Sequence, residues 1–140
     1  MHVVILSPAG LLDDGSLPNV RADDDVTLIA WDRSDAPERA VLLRRPAGWS
    51  SRVARWAQPT VVGRVLLRLT PWDPALVFHR AVRGSATARG ALRAADVLVA
   101  PERDGAYSAW KLARNARRAG RELPSVFGYP AARATIERLR

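Results

Sequence analysis

Pro101-Glu102-Arg103-Asp104 is the stretch best equipped for chemistry, because it follows an apolar run, 96–100, and precedes a long helical pattern. Carboxylates just past a parallel strand stand where open α/β sheets bind their ligands. Glu102 and Asp104 are therefore the candidate catalytic carboxylates, with Arg103 between them as a candidate ligand contact. The plain alternative is that Asp104 caps the helix and Glu102 pairs with a surface arginine. Other ends of apolar runs add Ser7, Gly10, Asp32, Arg33 and Tyr129 as candidate ligand-binding residues.

Most familiar chemistries lack their residues. There is no cysteine, so thiolate metal sites, disulfides and a cysteine nucleophile are excluded. The 2 histidines, His2 and His79, have no second ligand at metal-binding spacing, and His79 reads as a packed or helix-surface residue. Asp23-Asp24-Asp25 could attract a hard cation, but reads more simply as a solvated turn. No GxGxxG follows the first apolar run, Lys111 is not preceded by glycine as a Walker loop requires, and no GxSxG elbow exists. No metal or cofactor is expected.

The elements that must position these residues alternate in type. His2 to Ser7, Val26 to Trp31, 39–44, 96–100 and 124–128 are short apolar runs bounded by Gly, Pro or Asp, as strands buried on both faces are. The arginines flanking the third suit a sheet edge. Helical patterns cover 50–57, 60–69, 75–83, 85–95, 105–119 and 131–139. In the fifth, Asp104 is the expected N-cap and Gly120 the stop; Ala106, Ala109, Trp110, Ala113 and Ala116 are expected on one face, with Lys111, Arg114, Arg118 and Arg121 on another. The alternation predicts a single α/β domain over 1–140: an open, Rossmann-like, mostly parallel sheet of about five strands with helices on its faces. Its carboxyl edge should carry Ser7 to Gly10, Asp32 to Ser34, Pro101 to Gly105 and Gly128 to Pro130.

Charge is polarised along the chain. Residues 1–32 hold six aspartates and one arginine, whereas the whole chain carries 22 Lys+Arg against 14 Asp+Glu, a net charge of +8 in which Lys111 is the single lysine. An arginine-rich face could meet phosphates, an anionic membrane or an acidic protein, or simply be solvated. Between Trp49 and Trp72, Arg52, Arg55, Trp56, Arg64 and Arg68 form a candidate membrane- or anion-binding set, and the same helices could equally cover the sheet. No apolar run reaches the roughly 18 residues of a membrane span. A cytoplasmic chain, peripheral on the inner face of the membrane if lipid-bound, is the expected location.

His2-Val3-Val4-Ile5-Leu6-Ser7-Pro8, Val26-Thr27-Leu28-Ile29-Ala30-Trp31-Asp32-Arg33 and the run from Ala95 through Asp104 to Arg114 together resemble the N-terminal half of GT-B glycosyltransferases, the family-four-like group in particular. The resemblance implies an acceptor-binding or scaffold domain for a sugar or lipid-linked acceptor. Sugar transfer would then need a second, donor-binding half. In place of that family's glycine-rich loop and first helix stands 11–25, and Phe127-Gly128-Tyr129-Pro130 occupies the place of a loop that often carries His and Glu. Two other readings stay open. One is a noncatalytic arginine-rich module binding anionic lipid, an acidic protein or, with no recognisable motif for it, nucleic acid. The other is a small flavodoxin-like regulator.

Overall fold

The computed structural model describes residues 1–10, 12, 17, 20–21, 23–32, 40–46 and 70–140. Within them the chain forms β1 (His2–Leu6), β2 (Asp25–Trp31), β3 (Ala40–Leu43), α1 (Pro74–Gly84), α2 (Ala86–Ala94), β4 (Val97–Ala100), α3 (Arg103–Arg118), β5 (Ser125–Phe127) and α4 (Tyr129–Arg138). The expected helices over 50–57 and 60–69, with Arg52, Arg55, Trp56, Arg64 and Arg68, lie outside the described residues, as does Arg33.

All strand pairs are parallel, in the order β3-β2-β1-β4-β5. The apolar runs lack alternation because both faces of the sheet are covered, and successive side chains feed opposite cores. Val4, Leu6, Ile29, Trp31, Leu98 and Ala100 meet Phe78 and Val82 of α1, Ala88 and Leu92 of α2, and Ala109 of α3. Val3, Ile5, Leu28, Ala30, Val97 and Val99 meet Ala132 and Ile136 of α4 together with Leu17. Each Val, Leu, Ile or Phe among them stabilises by about 1.5–3 kcal/mol when fully buried. β1, β2 and β4 each bury four successive apolar residues, and β1 lies at the centre. β3 lies at one edge, as its flanking arginines suggest, and β5 at the other, where Phe127 is exposed.

The helix ends follow local rules. Asp73 caps α1 by accepting from the Ala75 and Leu76 amides, and Pro74 occupies the first turn, where its missing N–H costs nothing. Ser85 closes α1 and caps α2 through a bond from the Ala88 amide. Gly120, at φ 78°, ends α3: its N–H reaches the Arg117 carbonyl and that of Arg121 the Ala116 carbonyl.

Three expectations for α3 are corrected. The helix starts at Arg103, so Asp104 lies inside its first turn and Glu102 holds the N-cap position, making no side-chain cap bond because its carboxylate turns toward β1. Trp110 does not share the buried face, which consists of Gly105, Ser108 and Ala109; it is 50% exposed. At about 100° per residue, Trp110 falls well away from Gly105 and Ser108. Arg121 is not on α3 at all: it lies beyond the helix and donates to the Leu92 and Ala95 carbonyls at the end of α2.

Candidate functional site at the β1–β4 crevice

The sheet order makes a crevice between β1 and β4. From β1 the chain builds outward through β2 to β3, then crosses back so that β4 pairs with the other side of β1. Connections leave the carboxyl ends of these two strands in opposite directions, opening the gap where α/β sheets bind ligands. The loop after β1 and the start of α3 meet there.

Glu102 spans this gap. Its Oε1 accepts from the Ser7 hydroxyl at 2.6 Å and from the Ala9 amide at 2.8 Å. Ser7 is fully buried and held by its own amide, which donates to the Ile29 carbonyl of β2 at 3.0 Å. The chain then turns through Pro8 and Ala9 and closes with the Gly10 amide on the Ser7 carbonyl at 2.9 Å. Gly10 has φ 73°, in the left-handed region that a side chain disfavours. This turn presents the Ala9 N–H to the carboxylate. Among the described residues nothing is hydrogen-bonded to Oε2 of the half-buried Glu102, so one oxygen of a positioned carboxylate is available to a ligand's donor.

Gly105 is what lets α3 come so close. A Cβ there would lie 1.9 Å from the Leu6 carbonyl oxygen and 3.4 Å from Pro8 Cδ. No side chain fits, and the obstacle is backbone that cannot rotate away. Sequence reasoning placed Gly105 on the carboxyl edge but missed this role. Its available signal was a glycine in the first turn of a helix, a costly choice unless another backbone approaches. One turn further, Ser108 Oγ is buried with no hydrogen-bond partner among the described residues.

The remaining expected site residues divide. Arg103 is exposed at the start of α3 and Asp104 half-buried beside it. Asp32 stands exposed at the carboxyl end of β2, with its amide on the Leu43 carbonyl; its side chain makes no bond to Ser7 or Glu102. Tyr129 opens α4 and packs against the second core, while Gly128, at φ 79°, ties the same rim to the Ala100 carbonyl at 2.8 Å. The structure thus joins Ser7, Gly10 and Glu102 in one bonded unit, with Arg103 and Asp104 beside it. It leaves Asp32 and Tyr129 elsewhere on the rim.

Two other titratable groups are structural. His79 of α1 is buried with its ring edge-on to Tyr107 of α3, centroids 5.6 Å apart, and Nδ1 has no partner among the described residues. Burial first, then the charges of Arg83 and Lys111, hold its pKa below the ordinary histidine value. Asp24 is not part of a solvated turn as expected. Its buried carboxylate receives the Arg21 amide at 2.8 Å, the Met1 ammonium at 3.2 Å and the Arg140 guanidinium. The Arg21 amide bond is the main cause of its lowered pKa; the ammonium and Arg140 add to it while burial opposes. Among the described residues no group of three or more His, Asp or Glu side chains could hold a metal ion.

Comparison of the chain with family models, with curated proteins and with solved structures gives no match.

Proposed function

We propose that this chain is a glycosyltransferase-like acceptor-binding domain in which the β1–β4 crevice holds a hydroxyl-bearing acceptor, and that sugar transfer requires a separate donor-binding half. The observation that carries the reading is the half-committed Glu102 carboxylate, fixed by Ser7 and Ala9 through Oε1 with Oε2 open. A carboxylate held this way accepts a hydrogen bond from a ligand hydroxyl, and charge-assisted bonds of that kind are strong. In a complete enzyme it would also serve as general base. The acceptor O–H proton passes to Glu102 as the oxygen bonds to the sugar's anomeric carbon, and the sugar–phosphate bond breaks with its electron pair leaving on the nucleotide phosphate. Arg103 offers a guanidinium to an anionic group on the acceptor, and Asp104 keeps the first turn of α3 favourable by its charge.

The need for a second half rests on what the crevice lacks. No glycine-rich phosphate loop follows β1, and Gly105 is used for helix–strand contact, with a Cβ position 1.9 Å from Leu6 O. No helix among the described residues is long and apolar enough to cross a membrane.

Titration of the purified chain with simple glycosides and with nucleotide sugars, followed by NMR, tests the proposal. The expected result is saturable glycoside binding that Glu102→Gln weakens by about tenfold or more, the scale of one hydrogen bond to a charged group, with no nucleotide-sugar turnover. Turnover by the chain alone, or glycoside binding indifferent to Glu102→Gln, would overturn it.

A further inference from the structure

The outward face of α3 combines exposed arginines with aromatic rings. Arg103, Tyr107, Trp110, Arg114, Arg117 and Arg118 recur at helical spacing and fall opposite the buried Gly105, Ser108 and Ala109. The four arginines are exposed, and Trp110 is 50% exposed with the Arg114 guanidinium 5.3 Å and the Lys111 ammonium 5.9 Å from its ring. The sole acid of the helix is Asp104, in the first turn.

Four arginines elsewhere have their side chains tied down, while those of Arg44, Arg83, Arg93 and Arg138 bond to nothing among the described residues. Arg80 donates to the Pro71 carbonyl, Arg89 to those of Arg83 and Gly84, Arg121 to those of Leu92 and Ala95, and Arg140 to Asp24. Among the described residues the side chains of Arg114, Arg117, Arg118 and Lys111 form no hydrogen bond or ion pair; those of Arg114 and Lys111 lie over the Trp110 ring. They retain their donors for something outside the fold.

We infer that the outward face of α3 is a docking surface for an anionic lipid bilayer. The stripe is a convex ridge about 24 Å long at 1.5 Å per residue, which lies along a flat surface rather than enclosing a strand. Its indole has an apolar body and a polar N–H, the combination that sits at headgroup depth, and the flanking cations meet lipid phosphates. Single-stranded nucleic acid instead requires a groove with successive stacking platforms. Tyr107 and Trp110 are tilted 48° to each other, 6.2 Å apart, and offer none. This extends the acceptor reading by naming the surface that would bring the crevice to a lipid-linked substrate, but it is measured without any acceptor, so either can fail alone.

The test is co-sedimentation of the full chain with phosphatidylcholine vesicles, with and without about one third phosphatidylglycerol. Binding is expected only to the anionic vesicles, falling as salt rises from about 0.1 to about 0.5 M, with a blue shift of tryptophan emission that Trp110→Phe removes. Arg114→Glu with Arg117→Glu should lower the partition about twentyfold or more, since each surface cation contributes roughly a factor of five. Arg138→Glu, exposed on α4 across the sheet, should change it less than about threefold, which separates the α3 face from net charge. Circular dichroism of these exposed-site variants checks that they remain folded. Equal binding to neutral vesicles, undiminished binding by the α3 double variant, or retention on a single-stranded oligonucleotide without vesicle binding would each overturn the assignment.

Discussion

Asp24 and Glu102 are carboxylates at opposite ends of the same sheet, the first beside the amino ends of β1 and β2, the second beyond the carboxyl end of β4. Both oxygens of Asp24 are engaged, Oδ1 by the Met1 ammonium and Oδ2 by the Arg21 amide and Arg140. Among the described residues Glu102 uses Oε1 alone, for Ser7 and Ala9. A saturated buried carboxylate fastens chain segments and has nothing left for a ligand; a half-saturated one at a crevice is fixed in place yet open to a donor. The comparison teaches that carboxylate chemistry in this fold is decided by how many of its lone pairs the backbone has already taken.

The largest effect should come from closing the approach on which the Glu102 side depends. Gly105→Ala drives a methyl into the Leu6 carbonyl, so α3 must move away from β1. Chemical denaturation should show a loss of about 3 kcal/mol or more, and glycoside binding at the crevice should go with it. Unchanged stability would mean that α3 is not seated against β1 as described.

Acid titration sharpens the other side. Because the folded pKa of Asp24 is lowered, the stability its carboxylate provides is complete above the unfolded value of about 3.9 and is lost as pH falls through the depressed folded value. Asp24→Asn should destabilise the chain at neutral pH and flatten that acid limb. His79, also lowered, acts in an earlier window: its contribution is complete above about 6.5 and declines as pH falls through its folded value, where the buried ring must take a proton beside Arg83 and Lys111. His79→Phe should remove the earlier step and keep the later one. A wild-type profile without two steps would contradict both assignments.

The smallest effect on stability is expected at Glu102 itself. Glutamine keeps an acceptor oxygen for Ser7 and Ala9, so Glu102→Gln should cost less than about 1 kcal/mol while glycoside binding falls. If Glu102→Gln instead destabilised the chain as much as Asp24→Asn, the two carboxylates would be doing the same job and the contrast would be lost.

Local rules made much of the fold legible. Val3-Val4-Ile5-Leu6 and Val97-Leu98-Val99 are unbroken apolar runs, which only a strand covered on both faces requires. The start of α1, the α1–α2 junction and the end of α3 follow from Asp73, Ser85 and Gly120, whose side-chain oxygens or left-handed φ act within a few residues. The rim position of Ser7 and Glu102 followed from the same pattern, because parallel strands put their carboxyl ends together.

What the residues could not disclose is pairing across distance. Glu102 meets Ser7 across 95 positions of sequence, and Asp24 meets Arg140 across 116. No periodicity encodes such contacts, so three adjacent aspartates looked alike until folding buried the middle one between two chain segments. Trp110 shows the same division: its helix was written in the sequence, but which side of α3 lay against the sheet was set by Gly105, the only residue type that fits against the Leu6 carbonyl. The sequence by itself determined which segments are strands or helices and which ends they share, since those follow from side-chain period and nearby hydrogen bonding. Tertiary structure alone decided which carboxylate was saturated and which stayed open, because lone pairs are filled by donors that only three-dimensional packing brings within reach.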